Sequence, residues 1–290
     1  MKTDKTNELL YALAEKVLLQ IHNWLPPIPK EVDWSAIAYK WRKLGPKGYL
    51  HSIHNFSKIS LDDLSHIERQ KNIIDDNTFQ FVNGRPANNV LMTGARGTGK
   101  SSLVRSMLDK YSKKNLRLVE IDKSDLGDLF DVVELLNNRP EKFIIFCDDL
   151  SFEEGEIGYK ALKSFLDGSI LSTGNNILIY ATSNRRHLIP EYFKENLQNT
   201  HDSNGEIHPG ETIEEKTSLS ERFGIWISFY NFNQDTYLDI VQYWINKIGT
   251  QKIEQDTFRL EALQWALERG SRSGRIANQF ARHWVSKNGK

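Results

Sequence analysis

The sequence predicts an α/β protein built on a parallel sheet covered by helices. Three observations carry that expectation. First, Gly94-Ala95-Arg96-Gly97-Thr98-Gly99-Lys100-Ser101 fits G-x-x-x-x-G-K-[ST] at each fixed position, with an apolar stretch before it and a helical one after it. Second, short apolar stretches alternate with helical ones from there on, the pattern of strands joined by crossover helices. Third, "FIIFC" (143–147) is apolar without polar alternation, as a strand buried on both faces should be.

Bulk properties narrow the class. A chain of 290 residues can hold one large or two modest domains with a real core. With 39% hydrophobic and 26% charged residues it reads as globular rather than disordered. Its apolar runs fall well short of the roughly 18 residues a membrane helix needs, so no membrane association is expected. The N-terminal MKTDKTNELLYALAEK lacks the unbroken apolar core of a signal peptide. A single cysteine, Cys147, excludes an intrachain disulfide and a Cys-rich zinc site. A cytoplasmic protein is the simplest reading. Basic and acidic residues balance at 38 each, which removes the easy argument for nucleic acid while leaving a local basic strip open.

The elements follow in order across three expected regions: 1–57, 58–230 and 231–290. In the first, Leu9, Leu10, Leu13, Val17 and Ile21 recur at helical spacing, and Pro26, Pro27 and Pro29 stop the helix. The aromatic and basic patch "WSAIAYKWRKLGPKGYL" (34–50) follows. Its plainer reading is a further helix docking its aromatics on the core, which makes this region helical throughout. The second region opens with Ser60 and Asp63 spaced as a capping box and Ile59 and Leu64 as its staple. Leu103, Val104, Met107, Leu108 and Tyr111 share a helical face, "LRLVEI" (116–121) reads as a strand, and Leu129, Val132, Val133 and Leu136 mark another helix. A helix over 159–171 and the strand "NILIYA" (176–181) come next, then an aperiodic polar loop (196–218). After "FYNFN" (229–233) the pattern is all helical, over 234–248, about 256–269 and about 273–286, and predicts a small C-terminal helical unit.

The glycines at 94, 97 and 99 let backbone N–H groups converge on phosphate oxygens, and a helix starting near Lys100 turns its N-terminal dipole toward the same anion. The expected nucleotide contacts are Gly94, Ala95, Arg96, Gly97, Thr98, Gly99, Lys100, Ser101 and Ser102. Lys100 should reach the outer phosphates and Ser101 should bind Mg2+. The strand 143–147 ends in Asp148 and Asp149 at the sheet edge where nucleotides bind, so Asp148 is the second expected metal ligand. Asp149 is the candidate to orient or deprotonate an attacking water. Cys147 reads as a small core residue. His201 and His208 carry no metal-site pattern and read as solvated.

The fold alone leaves G proteins, small-molecule kinases and motors open. No N-K-x-D run is present to read guanine, and the one D-x-x-G, Asp202 to Gly205, has no strand before it, so ATP is expected. "ATSN" (181–184), "SERFG" (220–224) and "GRIANQFARHW" (274–284) then occur in the order of sensor 1, arginine finger and sensor 2 of AAA+ ATPases, which the chain resembles. The finger and sensor 2 segments are similar to those of the Holliday-junction branch-migration motor family. Residues 37–285 more closely resemble a bacterial AAA+ family of uncharacterised ATP-binding proteins. "LDDLSHIERQK", "FCDDLSFEEGE", "YKALKSFLDGS", "YATSNRRHLIPEYF", "GEIHPGE" and "SLSERFG" carry that likeness.

The resemblance implies an AAA+ core (58–230) with a parallel five-stranded sheet, a C-terminal helical lid (231–290), ATP and Mg2+ as ligands, and assembly into a homo-oligomeric ring or partial ring. It implies that Asn184 polarises the attacking water, that Arg222 reaches the γ-phosphate of a neighbouring subunit, and that Arg275 contacts the phosphates of its own subunit. The plainer alternatives are a strand-end cap with Ser183 as the polar group, a surface ion pair for Arg222, and a solvated Arg275 replaced by Arg272. Asp149 stands where most AAA+ proteins have Glu, so hydrolysis is expected to be slow unless Glu153 or Glu154 assists. The connection "DKSDLGD" (122–128) lacks the aromatic of protein-threading rings. Arg185 and Arg186 follow sensor 1 and point to a subunit interface or a ligand path. Trp34, Tyr39, Lys40, Trp41, Arg42 and Lys43 combine stacking and charge, which leaves single-strand binding beside the docked-helix reading. The expected activity is ATP hydrolysis that remodels a protein or nucleoprotein client. A slow nucleotide-dependent switch or scaffold and a small-molecule kinase are the alternatives.

Overall fold

The fold is given by a computed structural model that describes residues 11, 13–18, 31–45, 47–56, 58–152, 156–168, 175–185, 188, 200, 201, 207, 208, 219–249 and 254–288. Leu9, Leu10, Ile21, the three prolines at 26–29, Glu153, Glu154, Arg186, the Asp202–Gly205 pair and the side chains of His201 and His208 lie outside the described residues. Residues 13–18 are helical, with Leu13 and Val17 exposed.

The strands are β1 (Ala38–Leu44), β2 (Lys47–Ile53), β3 (Val90–Gly94), β4 (Leu116–Glu120), β5 (Lys142–Cys147), β6 (Ile177–Ser183), β7 (Thr200–His201), β8 (Ile207–His208) and β9 (Ile225–Phe229). The main sheet has seven strands in the order β2-β1-β4-β5-β6-β3-β9, not the five expected. The expected parallel block is present as β4-β5-β6-β3-β9. It is extended by β1, parallel to β4, and by β2, antiparallel to β1. The two extra strands come from the patch that the sequence suggested was helical.

That patch is a hairpin because its side chains alternate across a sheet. Tyr39 and Trp41 point into the core, while Lys40 and Arg42 face the other way. Gly45 takes the left-handed conformation at the turn (φ 63°). Gly48 is required opposite, since a Cβ there would stand 1.8 Å from Trp41 Cζ2. The indole Nε1–H donates to Asp128 Oδ2 at 3.0 Å. Gly48→Ala is therefore expected to destabilise the fold by about 1–3 kcal/mol by overpacking. Trp41→Ala should cost about 3–5 kcal/mol. Urea unfolding measures both, and a midpoint unchanged in either variant would overturn the assignment.

The expected capping box is present and caps a single tight turn (Leu61–Asp63). His66 has φ 63°, which a right-handed helix cannot contain, so α1 starts only at Glu68 (Glu68–Val82). With α2 (Lys100–Tyr111), α1 covers one face of the sheet through Ile74, Phe81, Leu103, Val104 and Met107. The other face is covered by α3 (Leu129–Asn137) and α4 (Ile157–Leu166) through Val132, Leu136, Tyr159 and Leu162. In the polar stretch expected to be a loop, β7 and β8 pair antiparallel as a short ribbon.

The C-terminal unit is α5 (Gln234–Ile248), α6 (Gln255–Glu268) and α7 (Gly274–Asn288), around a third core that includes Tyr237, Val241, Phe258 and Phe280. Asn233 caps α5 by accepting the Thr236 N–H at 2.8 Å. The unit is tied to the segment before α1. Asp63 Oδ1 accepts from the Tyr243 hydroxyl at 2.6 Å and pairs with Lys247, and His66 Nε2 lies 3.5 Å from Asp239.

Candidate nucleotide site

The loop after β3 is shaped by backbone conformations that only glycine takes easily. Gly94 has φ 122°, and a Cβ on it would stand 1.9 Å from the carbonyl oxygen of Phe229 on the neighbouring strand. Gly97 and Gly99 have φ 73° and 102°, and α2 begins immediately after them. The Lys100 ammonium folds back into the loop. It donates to the carbonyls of Gly94 and Ala95, both at 2.7 Å, and to Asn184 Oδ1 at 3.2 Å. Burial lowers its pKa to about 8, against the opposing pull of Asp148 and Asp149.

β5 and β6 deliver the polar half of the site. Cys147, the last residue of β5, is fully buried, and burial pushes its thiol well up, as a core residue requires. Asp148 follows at once. Its Oδ1 accepts from Ser101 Oγ at 2.6 Å and from Thr182 Oγ1 at 2.5 Å. Asp149 has φ 54°, a conformation that Asp tolerates better than most residues. Its N–H donates to Thr182 Oγ1 at 2.9 Å, and its Oδ1 accepts from Asn184 Nδ2. Asn184 thus bridges Lys100 and Asp149. Ser183 points to the other side and donates to the Leu150 carbonyl at 2.6 Å.

The oxygen donors of Ser101 and Asp148 suit Mg2+, which is commonly held by one or two carboxylates together with nucleotide phosphates. Among the described residues Asp148 Oδ2 accepts no hydrogen bond, so an acceptor is left for the ion. No group of three or more His, Cys, Asp or Glu among the described residues could hold a metal by itself.

The helical unit reaches this loop directly. Arg275 lies in the first turn of α7, and its N–H donates to the Gly97 carbonyl at 3.4 Å. A Cβ on Gly97 would meet Ser273 Oγ at 2.7 Å and Arg275 Cβ at 3.3 Å. The charges of Arg96 and Arg275 are both felt by Lys100. Arg272 is exposed beside them.

Arg222 is elsewhere. It ion-pairs with Asp167, just after α4, and precedes β9. Since β9 runs parallel to β3, with Ile225 facing Val90 and Phe229 facing Gly94, Arg222 lies at the opposite edge of the sheet from the loop. Five residues of strand at roughly 3.3 Å each separate the two edges. Lys100, Ser101, Asp148, Asp149, Asn184 and Arg275 are therefore gathered around one loop, and Arg222 is not.

Thr182 is the residue that sequence reasoning missed. It is buried, with a relative exposure of 1%, and it touches both aspartates, at the Asp148 carboxylate and at the Asp149 N–H. The signal was present in "ATSN": strand alternation places Thr182 and Asn184 on one face and Ser183 on the other. The other expected surfaces are occupied internally. Lys40 pairs with Glu120 and Asp122, and Lys43 with Asp125 and Asp128. The Arg139 guanidinium stacks 4.1 Å over Trp34, so the aromatic faces of the patch are packed inside. In the 122–128 connection, Leu126 is fully buried and Lys123 pairs with Glu156 at 2.9 Å.

The strand order, the glycine loop between β3 and α2, and the helical unit docked on that loop give the class by its fold: a mostly parallel α/β sheet with a small helical unit, the fold of an AAA+ core. Solved structures share it. A single-residue variant of Thermotoga maritima RuvB matches with TM-score 0.52 and 15% identity over 77% of this chain and 63% of its own. A second such variant gives 0.50 and 17% over 78% and 66%. C. elegans PCH-2 gives 0.50 and 17% over 79% and 65%. The chain thus spans less than two thirds of the length of each. Residues 34–288 match the family described as Protein of unknown function (DUF815), and the chain belongs to that family. No curated protein matches it.

Proposed function

We propose that the protein is an ATPase that binds ATP with Mg2+, hydrolyses it at an interface between copies of itself, and uses the cycle to remodel a protein or nucleoprotein partner. One observation carries this reading. A hydrogen-bonded chain of Lys100, Asn184, Asp149, Thr182, Asp148 and Ser101 lies under a glycine loop. The finger-like arginine of the same chain stands at the far edge of the sheet.

Each group has a task. The loop N–H groups and the start of α2 receive the phosphates, and Lys100 exchanges its carbonyl partners for phosphate oxygens. Ser101 and Asp148 would hold Mg2+, which supplies charge neutralisation on the phosphates. Asp149 accepts the proton of the attacking water or orients it, and Asn184 holds that carboxylate and the water in register. Arg275 brings positive charge from the lid onto the phosphates of its own chain. Arg222 completes the site of a neighbour, which makes a homo-oligomeric ring or partial ring the active form. The test is steady-state phosphate release with and without Mg2+, alongside the oligomeric state with and without ATP. Release without any phosphorylated product excludes a small-molecule kinase, and no release under any condition overturns the proposal.

A slow switch is the second reading, favoured by Asp149. Its carboxylate is about one methylene shorter than the Glu expected of a motor, and Asn184 already engages it. Low turnover that client candidates fail to raise would select this reading.

The lowered pKa of Lys100 sets the pH dependence. The free protein loses the ammonium charge as pH rises through about 8. Bound polyphosphate stabilises the charged form, so its pKa is higher in the complex. ATP affinity should therefore be greatest below about pH 8 and fall above it, with net proton uptake on binding between pH 8 and 9. Calorimetry in buffers of different ionisation enthalpy measures that uptake, and zero uptake would refute the assignment. The sign for folding is the reverse. The unfolded lysine binds its proton more tightly, so this group's unfavourable contribution is full below about pH 8 and is relieved as pH rises toward the ordinary lysine value of 10.5.

A further inference from the structure

We propose that Thr182 is a positioning residue that sets both site carboxylates at once, making magnesium-dependent nucleotide binding and turnover depend on one buried hydroxyl. This inference rests on the reading of the site as a magnesium–nucleotide site. Thr182 lies near the C-terminal end of β6, next to the residues that leave β5. Its backbone carbonyl accepts the Leu150 N–H at 2.7 Å, so the main chain around both aspartates is already docked on this strand.

The hydroxyl adds what the backbone cannot. A threonine has one proton to give and lone pairs to receive. Here the proton goes to Asp148 Oδ1 at 2.5 Å, and a lone pair takes the Asp149 N–H at 2.9 Å. The first bond, with the one from Ser101, occupies Oδ1 twice and leaves Oδ2 for the metal side. The second bond holds Asp149 in the left-handed conformation (φ 54°) from which its carboxylate meets Asn184. Without the hydroxyl, the Asp149 N–H loses its partner, and a residue other than glycine has little reason to keep a positive φ. Asp148 would then be free to rotate about its side chain.

Valine matches threonine in shape but lacks the hydroxyl, and serine restores the hydroxyl. The experiment measures ATP affinity with Mg2+ and with EDTA, together with kcat and KM, for wild type, Thr182→Val, Thr182→Ser and Thr182→Ala. Thr182→Val is expected to keep the EDTA affinity within about twofold but to lose about tenfold of the affinity that Mg2+ adds, the scale of one hydrogen bond to a charged group. Its kcat should fall at least as far, with KM at saturating Mg2+ nearly unchanged, and Thr182→Ser should restore both. Thr182→Ala should repeat the valine result, which excludes a clash of the valine methyl as the cause. The proposal is overturned if the valine variant keeps the full magnesium gain, or if serine fails to rescue it. If the wild type itself gains no affinity from Mg2+, the reading of the site falls, and this proposal with it.

Discussion

Replacing Arg222 with alanine is expected to leave ATP affinity within about twofold of wild type and to lower turnover by about 10³-fold or more, the range of an arginine finger. Affinity should survive because Arg222 lies across the sheet from its own phosphate loop and ion-pairs there with Asp167. Turnover should fail because phosphoryl transfer depends on neutralising charge that develops in the transition state. The trans geometry has a sharper test in mixing. Arg222→Ala subunits keep a complete loop, and Lys100→Ala subunits keep a complete arginine, so mixtures of the two should recover activity that neither has alone. If Arg222→Ala retained full turnover in an assembled oligomer, the arginine would be the ion-pair partner of Asp167 and nothing more.

Lys100→Ala should bring ATP binding below detection. The ammonium makes two hydrogen bonds to loop carbonyls and a third to Asn184, and phosphate oxygens are the natural replacements for them. Bonds to charged groups contribute roughly 1.5–3 kcal/mol each, so losing two to phosphate lowers affinity by about 10²-fold or more. The fold should tolerate the change, because the lysine is desolvated at a cost that its loss removes. Titration with a fluorescent ATP analogue, beside a thermal unfolding curve, separates lost binding from lost structure. Binding at wild-type affinity would mean that the loop N–H groups and Arg275 hold the phosphates without Lys100.

Much of the candidate site's geometry was legible because its signals are local. The loop glycines, Lys100, Ser101 and the two aspartates lie within contiguous stretches whose backbone conformation and end position follow from residue type. The helices of the C-terminal unit were legible because helical periodicity is complete within a few turns, and α5 starts and ends where the pattern placed it. The hairpin was not. Trp41, Gly48 and Asp128 explain one another, but they meet only because Ala38–Lys40 pair in register with Leu118–Glu120, some 80 residues away in sequence. Locally, the same stretch mixes aromatic and basic residues in a way that suits a helix face or a binding strip equally well. The capping box between Ser60 and Asp63 was legible because it is local, and its hydrogen bonds are as expected.

The amino-acid sequence by itself determined the α/β class, the glycine loop before Lys100 and the strand that ends in Asp148 and Asp149, since each depends on interactions among near neighbours. Only the tertiary structure decided that the sheet has seven strands, that Thr182 rather than Ser183 faces the carboxylates, that Arg275 is laid on Gly97, and that Arg222 is held away from its own loop. Those facts depend on strand order and on which face of a strand meets which neighbour. Both are set by the burial of residues far apart in the chain, a free energy that no short stretch of sequence contains.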